Sequence, residues 1–426
     1  MSLVTFINCP ICQQYDCSHH CVVRNSQIDN LAQQYVTLVL NVGLHQPLYV
    51  DAYYGPETWR QGLSLQPLPQ LRETCQSLCV ELGRISTMPL SHTLSERVSF
   101  LAKQLDSVAV FLRSLSGEPL SFTEESLGLY DVRAPKYTLD RFIECRDQLA
   151  KLVPGDGDLT ARFTAYRQQF IVPSERVAAV FSAAVERARA LTAMHIDLPE
   201  NERFSIEYVT DKVWTAYNWY QGSCSSLIEL NQDQPLYLER ALELASHEGY
   251  PGHHVFNLLQ ERDLVSGRGW LEYAIYPLYS PISFLSEGSA NYGLSLLMSQ
   301  QERLEYERDV LMPLAGIEGD IVQYYQIMTL YKQLAYLDNL VCQQLTDGEI
   351  DDVRAAEMLV EFGLYTDSKA KQRVAFYRSN RSYVINYNYG EDCVREWVEK
   401  EPDSKRRWQR FEALLKRPRT ASGFTR

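Results

Sequence analysis

The chain has 426 residues, enough for two or three domains or for one large enzyme body around a single core. Its 41 Lys and Arg against 54 Asp and Glu give a net charge of −13, which argues against a nucleic-acid or anionic-membrane binder, because phosphate contacts need a basic face. A 45% hydrophobic content with 27 Tyr and 15 Phe is that of a folded chain.

At the amino terminus, MSLVTFINCPIC lacks the basic and long apolar regions of a secretory signal, and no stretch reaches the roughly 18 to 20 apolar residues that cross a bilayer. The expectation is a cytoplasmic protein with no membrane partner, its ten cysteines reduced. Cys9, Cys12, Cys17 and Cys21, with His19 and His20 among them, have the composition of a small structural metal site, although the spacing is not that of a standard zinc finger. Residues 1–24 are therefore set apart as a Cys/His-rich segment, and 25–426 as one catalytic body. Cys75 and Cys79 read as small core hydrophobes.

Helical periodicity begins at Ser26 to Val42, where Ile28, Leu31, Tyr35, Leu38, Val39 and Val42 share one face between a Ser26 cap and a Gly43 stop. It recurs at Ser95 to Leu115, Leu139 to Leu152, Ser174 to Met194, Leu236 to Ser246, Pro281 to Ser299, Ile321 to Leu345, Ile350 to Phe362 and Lys405 to Leu415. The exception is Phe204 to Asn231, where FSIEYV and SSLIELN flank WTAYNWYQG and read as a small β-hairpin or ribbon. The fold class expected is mainly α, with two halves across a deep cleft and a β-ribbon before the metal-binding helix. SSLIELN, Ser225 to Asn231, would offer an open strand edge to an extended peptide. Asn218, Tyr220 and Asn231 would line the cleft.

Three of the eight histidines, His247, His253 and His254, fall within HEGYPGHH. Two histidines four apart on a helix, with Glu after the first, is the familiar zinc-hydrolase pattern. Here position i+4 is Pro251, which has no N–H to donate, and Gly252 follows. The helix should break between Gly249 and Gly252, and a bulge would return His253 to the side of His247. His254 at i+7 would lie about 10.5 Å along an unbroken helix, so His253 is the favoured ligand and His254 the alternative. A catalytic zinc takes about three protein ligands, and Glu287 in FLSEGSANYG, with small neighbours that let helices approach, is the best third. Asn291, one turn on, is placed to orient a ligating His.

The stretches YVDAYYGP (Tyr49 to Pro56), WTAYNWYQG, HEGYPGHH, SEGSANYG (Ser286 to Gly293) and YNYG (Tyr387 to Gly390) together resemble, in order, successive signatures of the bacterial domain of unknown function 885 family, over roughly Ile28 to Pro418. The resemblance implies a helical metallopeptidase of the gluzincin type. Zinc would be held by His247, His253 and Glu287, with Glu248 as general base and Tyr387 in RSYVINYNYG as donor to the oxyanion. Tyr383, Tyr389 and Arg381 are close in sequence, and Arg381 would help to bind substrate. Family members read EGWALY where this chain reads EGSANY, so Ser289 and Asn291 change the pocket beside the metal and leave Glu287 in place.

The function expected is hydrolysis of short peptides by a cytoplasmic zinc peptidase. The alternatives are a metal-dependent hydrolase or lyase for another small molecule, and a non-catalytic metal-binding scaffold.

Overall fold

Apolar residues at helical spacing and local capping set most of the chain into helices, and the protein is mainly α. The computed structural model describes residues 18–212 and 214–425, with side chains from Asn25 to Phe424. Cys9, Cys12 and Cys17 lie outside the described residues. So do the side chains of His19, His20 and Cys21, although their backbone opens the first helix.

In chain order the first half carries α1 (Ser18–Gly43), β1 (Val50–Tyr53), α2 (Leu68–Ser86), α3 (His92–Leu115), α4 (Phe122–Tyr130), α5 (Leu139–Leu152), α6 (Leu159–Gln168) and α7 (Val177–Ala193). Strands β2 (Arg203–Val209), β3 (Ala216–Gly222) and β4 (Ser225–Asn231) lead into α8 (Leu238–Leu244) and α9 (His253–Gln260). After β5 (Ile275–Pro277) come α10 (Pro281–Leu297), α11 (Gln300–Tyr306), α12 (Met312–Ala315), α13 (Ile321–Leu334), α14 (Leu337–Thr346), α15 (Asp352–Gly363), α16 (Asp367–Asn380), α17 (Ile385–Val398) and α18 (Ser404–Leu415).

The predicted face of α1 is the buried one, but the helix already runs from Ser18, so Ser26 does not cap it. Helix α3 begins earlier than its apolar period, because the Ser91 hydroxyl accepts from Leu94 N–H at 3.3 Å. Ser121 with Glu124, and Ser299 with Glu302, form reciprocal capping boxes at α4 and α11. The single helix expected over Ile321 to Leu345 is two. The chain turns at Ala335 and Tyr336, where the Ala335 carbonyl accepts from Asn388 Nδ2 at 3.1 Å and Tyr336 donates to Asp392 at 2.8 Å.

The ribbon is a three-stranded mixed sheet of order β2-β4-β3, with β4 parallel to β2 and antiparallel to β3. Ser225–Asn231 is thus the central strand, with both its edges paired, which corrects the expectation of an open edge there. Ser226, Ile228 and Leu230 alternate into the interior. A second sheet joins β1 to β5 antiparallel across more than half the chain, and its register slips between Val50 and Ala52. That bulge falls on Asp51.

One apolar core extends from Ile28 to Phe424 and draws on both halves. Within it Arg97 is fully buried, donating to Glu272 at 2.6 and 2.9 Å and to Asp29 at 2.6 Å. This clamp ties α1 and α3 to the segment that leads into β5. Among the described residues no helix is long and apolar enough to cross a membrane.

A candidate metal centre between α8, α9 and α10

Helix α8 buries Leu238, Ala241, Leu242 and Leu244, then widens into a π-type turn over Ala245–Gly249, where Tyr250 N–H reaches back to Ala245 O at 3.1 Å. Pro251, joined by a cis peptide to Tyr250, cannot continue the ladder. Gly252 N–H instead bonds Ser246 O at 2.9 Å, and α9 starts at His253. A Cβ on Gly252 would lie 2.0 Å from His247 O and 2.3 Å from Ser246 O, so only glycine fits. The break expected between Gly249 and Gly252 is present, and it returns His253 to His247: their Nε2 atoms are 3.1 Å apart, with the rings at 85°.

Glu287 arrives from α10, which crosses α17 where two glycines meet. A Cβ on Gly288 would come within 2.5 Å of the Gly390 backbone, so the SEGSANYG and YNYG stretches are in direct contact through these residues. Glu287 Oε2 lies 3.4 Å from His247 Nε2 and 3.8 Å from His253 Nε2. This Oε2 atom is buried and accepts no hydrogen bond from the described residues. A tetrahedral ion with bonds of about 2.0 to 2.2 Å holds its ligand atoms about 3.3 to 3.6 Å apart. The three observed separations straddle that range, and the donor set of two imidazoles and a carboxylate is one that zinc accepts.

Each of the three residues is held from behind. His247 Nδ1 meets Asn291 Oδ1 at 3.0 Å, His253 Nδ1 meets Ser286 Oγ at 3.0 Å, and Tyr383 donates to Glu287 Oε1 at 2.9 Å. His254 faces away, with Nδ1 2.8 Å from Ser226 Oγ on β4 and Nε2 3.3 Å from Glu202 Oε1. Of the two histidines left open by sequence, the geometry brings only His253 to the cluster.

Glu248 is fixed through its backbone, whose carbonyl accepts from Asn218 Nδ2 at 2.6 Å, while its carboxylate accepts no hydrogen bond from the described residues. Burial, opposed by His247 and Arg240 and reinforced by Glu287 and Asp51, pushes Glu248 up to about 7. Burial and the neighbouring His247 push His253 down to about 4. For His247 burial acts downward, but Glu287 and Glu248 outweigh it and raise the ring above its ordinary value. Burial acts upward on Glu287, yet the two histidines and Tyr383 leave it below the usual carboxylate range.

Tyr387 is half-buried beside Tyr383, with ring centroids 5.6 Å apart, and its backbone carbonyl accepts from Asn291 Nδ2 at 2.7 Å. Burial, with Glu287 and Glu248 nearby, holds its phenol far above the ordinary tyrosine range, so it stays a proton donor.

The other residues expected to bind substrate are placed differently. Asn218 supports the Glu248 backbone. Tyr220 donates to Glu261, which also accepts from Ser223 N–H at 2.9 Å. Asn231 donates to the Lys212 and Trp214 carbonyls at 2.9 Å and so ties down the loop before β3. Arg381 pairs with Glu125 and donates to Leu120 O at 2.7 Å. The polar groups of Tyr220, Asn231 and Arg381 are engaged within the fold, whereas Asn218 Oδ1 is buried with no hydrogen-bond partner among the described residues.

Two residues near the cluster were not expected from sequence. Tyr383, a sequence neighbour of Tyr387, is the one bonded to Glu287. Asp51 on β1 was not singled out at all. It accepts from Tyr217 and interacts electrostatically with Glu287 and Glu248. Burial, then Glu287, raises it to about 6 against the lowering hydrogen bond from Tyr217. The only sequence signal was a lone Asp among the aromatics of YVDAYYGP.

Neither a family model nor a curated protein sequence matches the chain. Among solved structures it is similar to "the putative lipoprotein from Colwellia psychrerythraea", at 13% identity and a TM-score of 0.51 over 82% of this chain and 69% of that one. It is also similar to "a putative lipoprotein of unknown function from Shewanella oneidensis", at 11% identity and a TM-score of 0.42 over 81% and 69%. The first likeness is one of fold alone.

Proposed function

We propose that the protein is a zinc-dependent peptidase acting on short peptides, with the ion held by His247, His253 and Glu287. The observation that carries this reading is the convergence of three ligand atoms, from the half-buried His247 and His253 and the buried Glu287, to within 4.8 Å of one another, with Glu248 next to His247 in the chain and its carboxylate free of hydrogen bonds from the described residues. A zinc ion bound there supplies a Lewis acid that polarises the scissile carbonyl and acidifies a water. Glu248, pushed up toward neutrality, accepts the water proton and delivers it to the leaving amine. Tyr387, protonated and close to Glu248 and Glu287, donates to the developing oxyanion. Asn291, Ser286 and Tyr383 hold the ligands in the orientation that keeps their reactive atoms turned inward.

The test separates the base from the ligands. Glu248→Gln is expected to keep the metal content of the wild type and to lose peptide hydrolysis by at least about a hundredfold. Loss of the metal in that variant, or hydrolysis at the wild-type rate, contradicts the assignment.

A further inference from the structure

The peptidase reading leaves Asp51 without a task. It is a carboxylate on a β-bulge, an irregularity that turns a side chain out of the regular pleat and that recurs beside functional sites. Oδ1 accepts from Tyr217, Oδ2 has no partner among the described residues, and no Lys or Arg among them pairs with the carboxylate. Its electrostatic neighbours are Glu287 and Glu248, so a negative group stands in an already negative site. A dication bound at the histidines would be balanced by Glu287 and Glu248, the latter already acted on by Arg240, and Asp51 would keep a charge that no Lys or Arg among the described residues pairs.

The wall around it is aromatic. Tyr217 packs on Trp219 at 4.6 Å and on Trp214 at 5.2 Å between ring centroids, and Trp219 is 38% exposed. Lys212 Nζ already sits over the Trp214 ring at 5.2 Å, so these rings do accept an ammonium group. Tyr276 on β5, paired with Ala52, closes another side, since it interacts electrostatically with both Asp51 and Glu287.

We infer that Asp51, with Tyr217 beside it, receives a positively charged group of the substrate, the free α-ammonium of a peptide, which makes Asp51 the residue that determines specificity at this site. The inference rests on the peptidase reading for its substrate but not for its chemistry. An ammonium would complete the charge balance and bond Oδ2, and it would set the first residue of the peptide against the base and the ligands. The shared chemistry with a lysine side chain is a primary ammonium, and the two sources are separable by blocking one or the other.

Titration calorimetry of the metal-loaded full chain with L-leucinamide, N-acetyl-L-leucinamide and N-acetyl-L-lysinamide tests this directly. Leucinamide is expected to bind at least about tenfold more tightly than its acetylated form, and Asp51→Asn to reduce that ratio to near one with the metal content unchanged. Tyr217→Phe keeps the carboxylate and is expected to keep the preference. Equal binding of the free and acetylated amides by the wild type overturns the inference without recourse to a variant, as does a preference that survives in Asp51→Asn. Tighter binding of N-acetyl-lysinamide than of leucinamide overturns the choice of the α-ammonium. A leucinamide preference that disappears in Asp51→Asn, in a protein that hydrolyses no peptide, supports the ammonium site and removes only the peptidase reading.

Discussion

His247 and Asn291 are joined by a hydrogen bond whose direction is determined. Asn291 Nδ2 donates to the Tyr387 carbonyl, so its Oδ1 faces His247 Nδ1 at 3.0 Å and can only accept. The proton of the neutral ring is therefore on Nδ1, and the lone pair of Nε2 points at His253 and Glu287. A leucine at this position could not set that tautomer. Asn291→Leu is expected to weaken zinc binding by about 10- to 100-fold, measured by competition with a chromophoric chelator. Unchanged affinity would show that the ring is oriented by packing alone.

The two histidines of the Pro-Gly-His-His run separate by experiment. His253→Ala removes one of the three converging atoms and is expected to abolish tight metal binding. His254→Ala is expected to retain the metal while destabilising the fold by about 1 to 3 kcal/mol, because Ser226 and Glu202 lose a buried partner. Metal analysis beside urea unfolding of both variants reads the difference, and metal loss in His254→Ala would contradict the arrangement.

Glycine is required at two backbone crossings and not at a third position. A methyl group at Gly252 meets the His247 and Ser246 carbonyls, and one at Gly288 meets the Gly390 backbone. Alanine at either is expected to destabilise the protein by about 3 kcal/mol or more. Gly83 in α2 has nothing within 4 Å of the added atom, and Gly83→Ala should stabilise by about 0.5 to 1 kcal/mol through helix propensity. Urea midpoints compare the three, and tolerance of Gly252→Ala would mean that the His247–His253 junction is not tightly packed.

Asp51 carries a pH signature. Its carboxyl is raised from an ordinary 3.8 to about 6, so between those values the folded chain binds more protons at this residue than the unfolded chain. Its contribution to stability is therefore most favourable below about pH 4 and is lost as the pH rises through 6. Asp51→Asn removes this term and is expected to be more stable than the wild type by about 3 kcal/mol at pH 7.5, with the gain falling below about 1 kcal/mol at pH 4. Thermal unfolding at the two pH values measures it. An equal effect at both would show that burial does not penalise the charge.

Local pattern and chemistry made much of this molecule legible before any coordinate. Helix α5 lies at its predicted bounds, because Phe142, Cys145 and Leu149 recur at helical spacing. Pro251 and Gly252 announced the break that turns His253 back, since one lacks a donor and the other alone fits against two carbonyls. Long-range pairing was not legible. Strand β1 finds β5 more than two hundred residues away, so neither the bulge at Asp51 nor its approach to Glu287 leaves a local trace. The turn that divides Ile321 to Leu345 is met by side chains of α17, Asn388 and Asp392, which no periodicity reveals. SSLIELN alternates as an edge or a central strand would, and only the parallel pairing with β2 decides between them.

The central claim is that HEGYPGHH and Glu287 hold one metal ion, and elemental analysis of the zinc-loaded, dialysed protein tests it most directly. Wild type and a variant with Cys9, Cys12, Cys17 and Cys21 changed to Ser are compared with His247→Ala. A tightly bound equivalent is expected to persist in the cysteine variant and to disappear in His247→Ala. Zinc retained in His247→Ala but lost with the cysteines would contradict it.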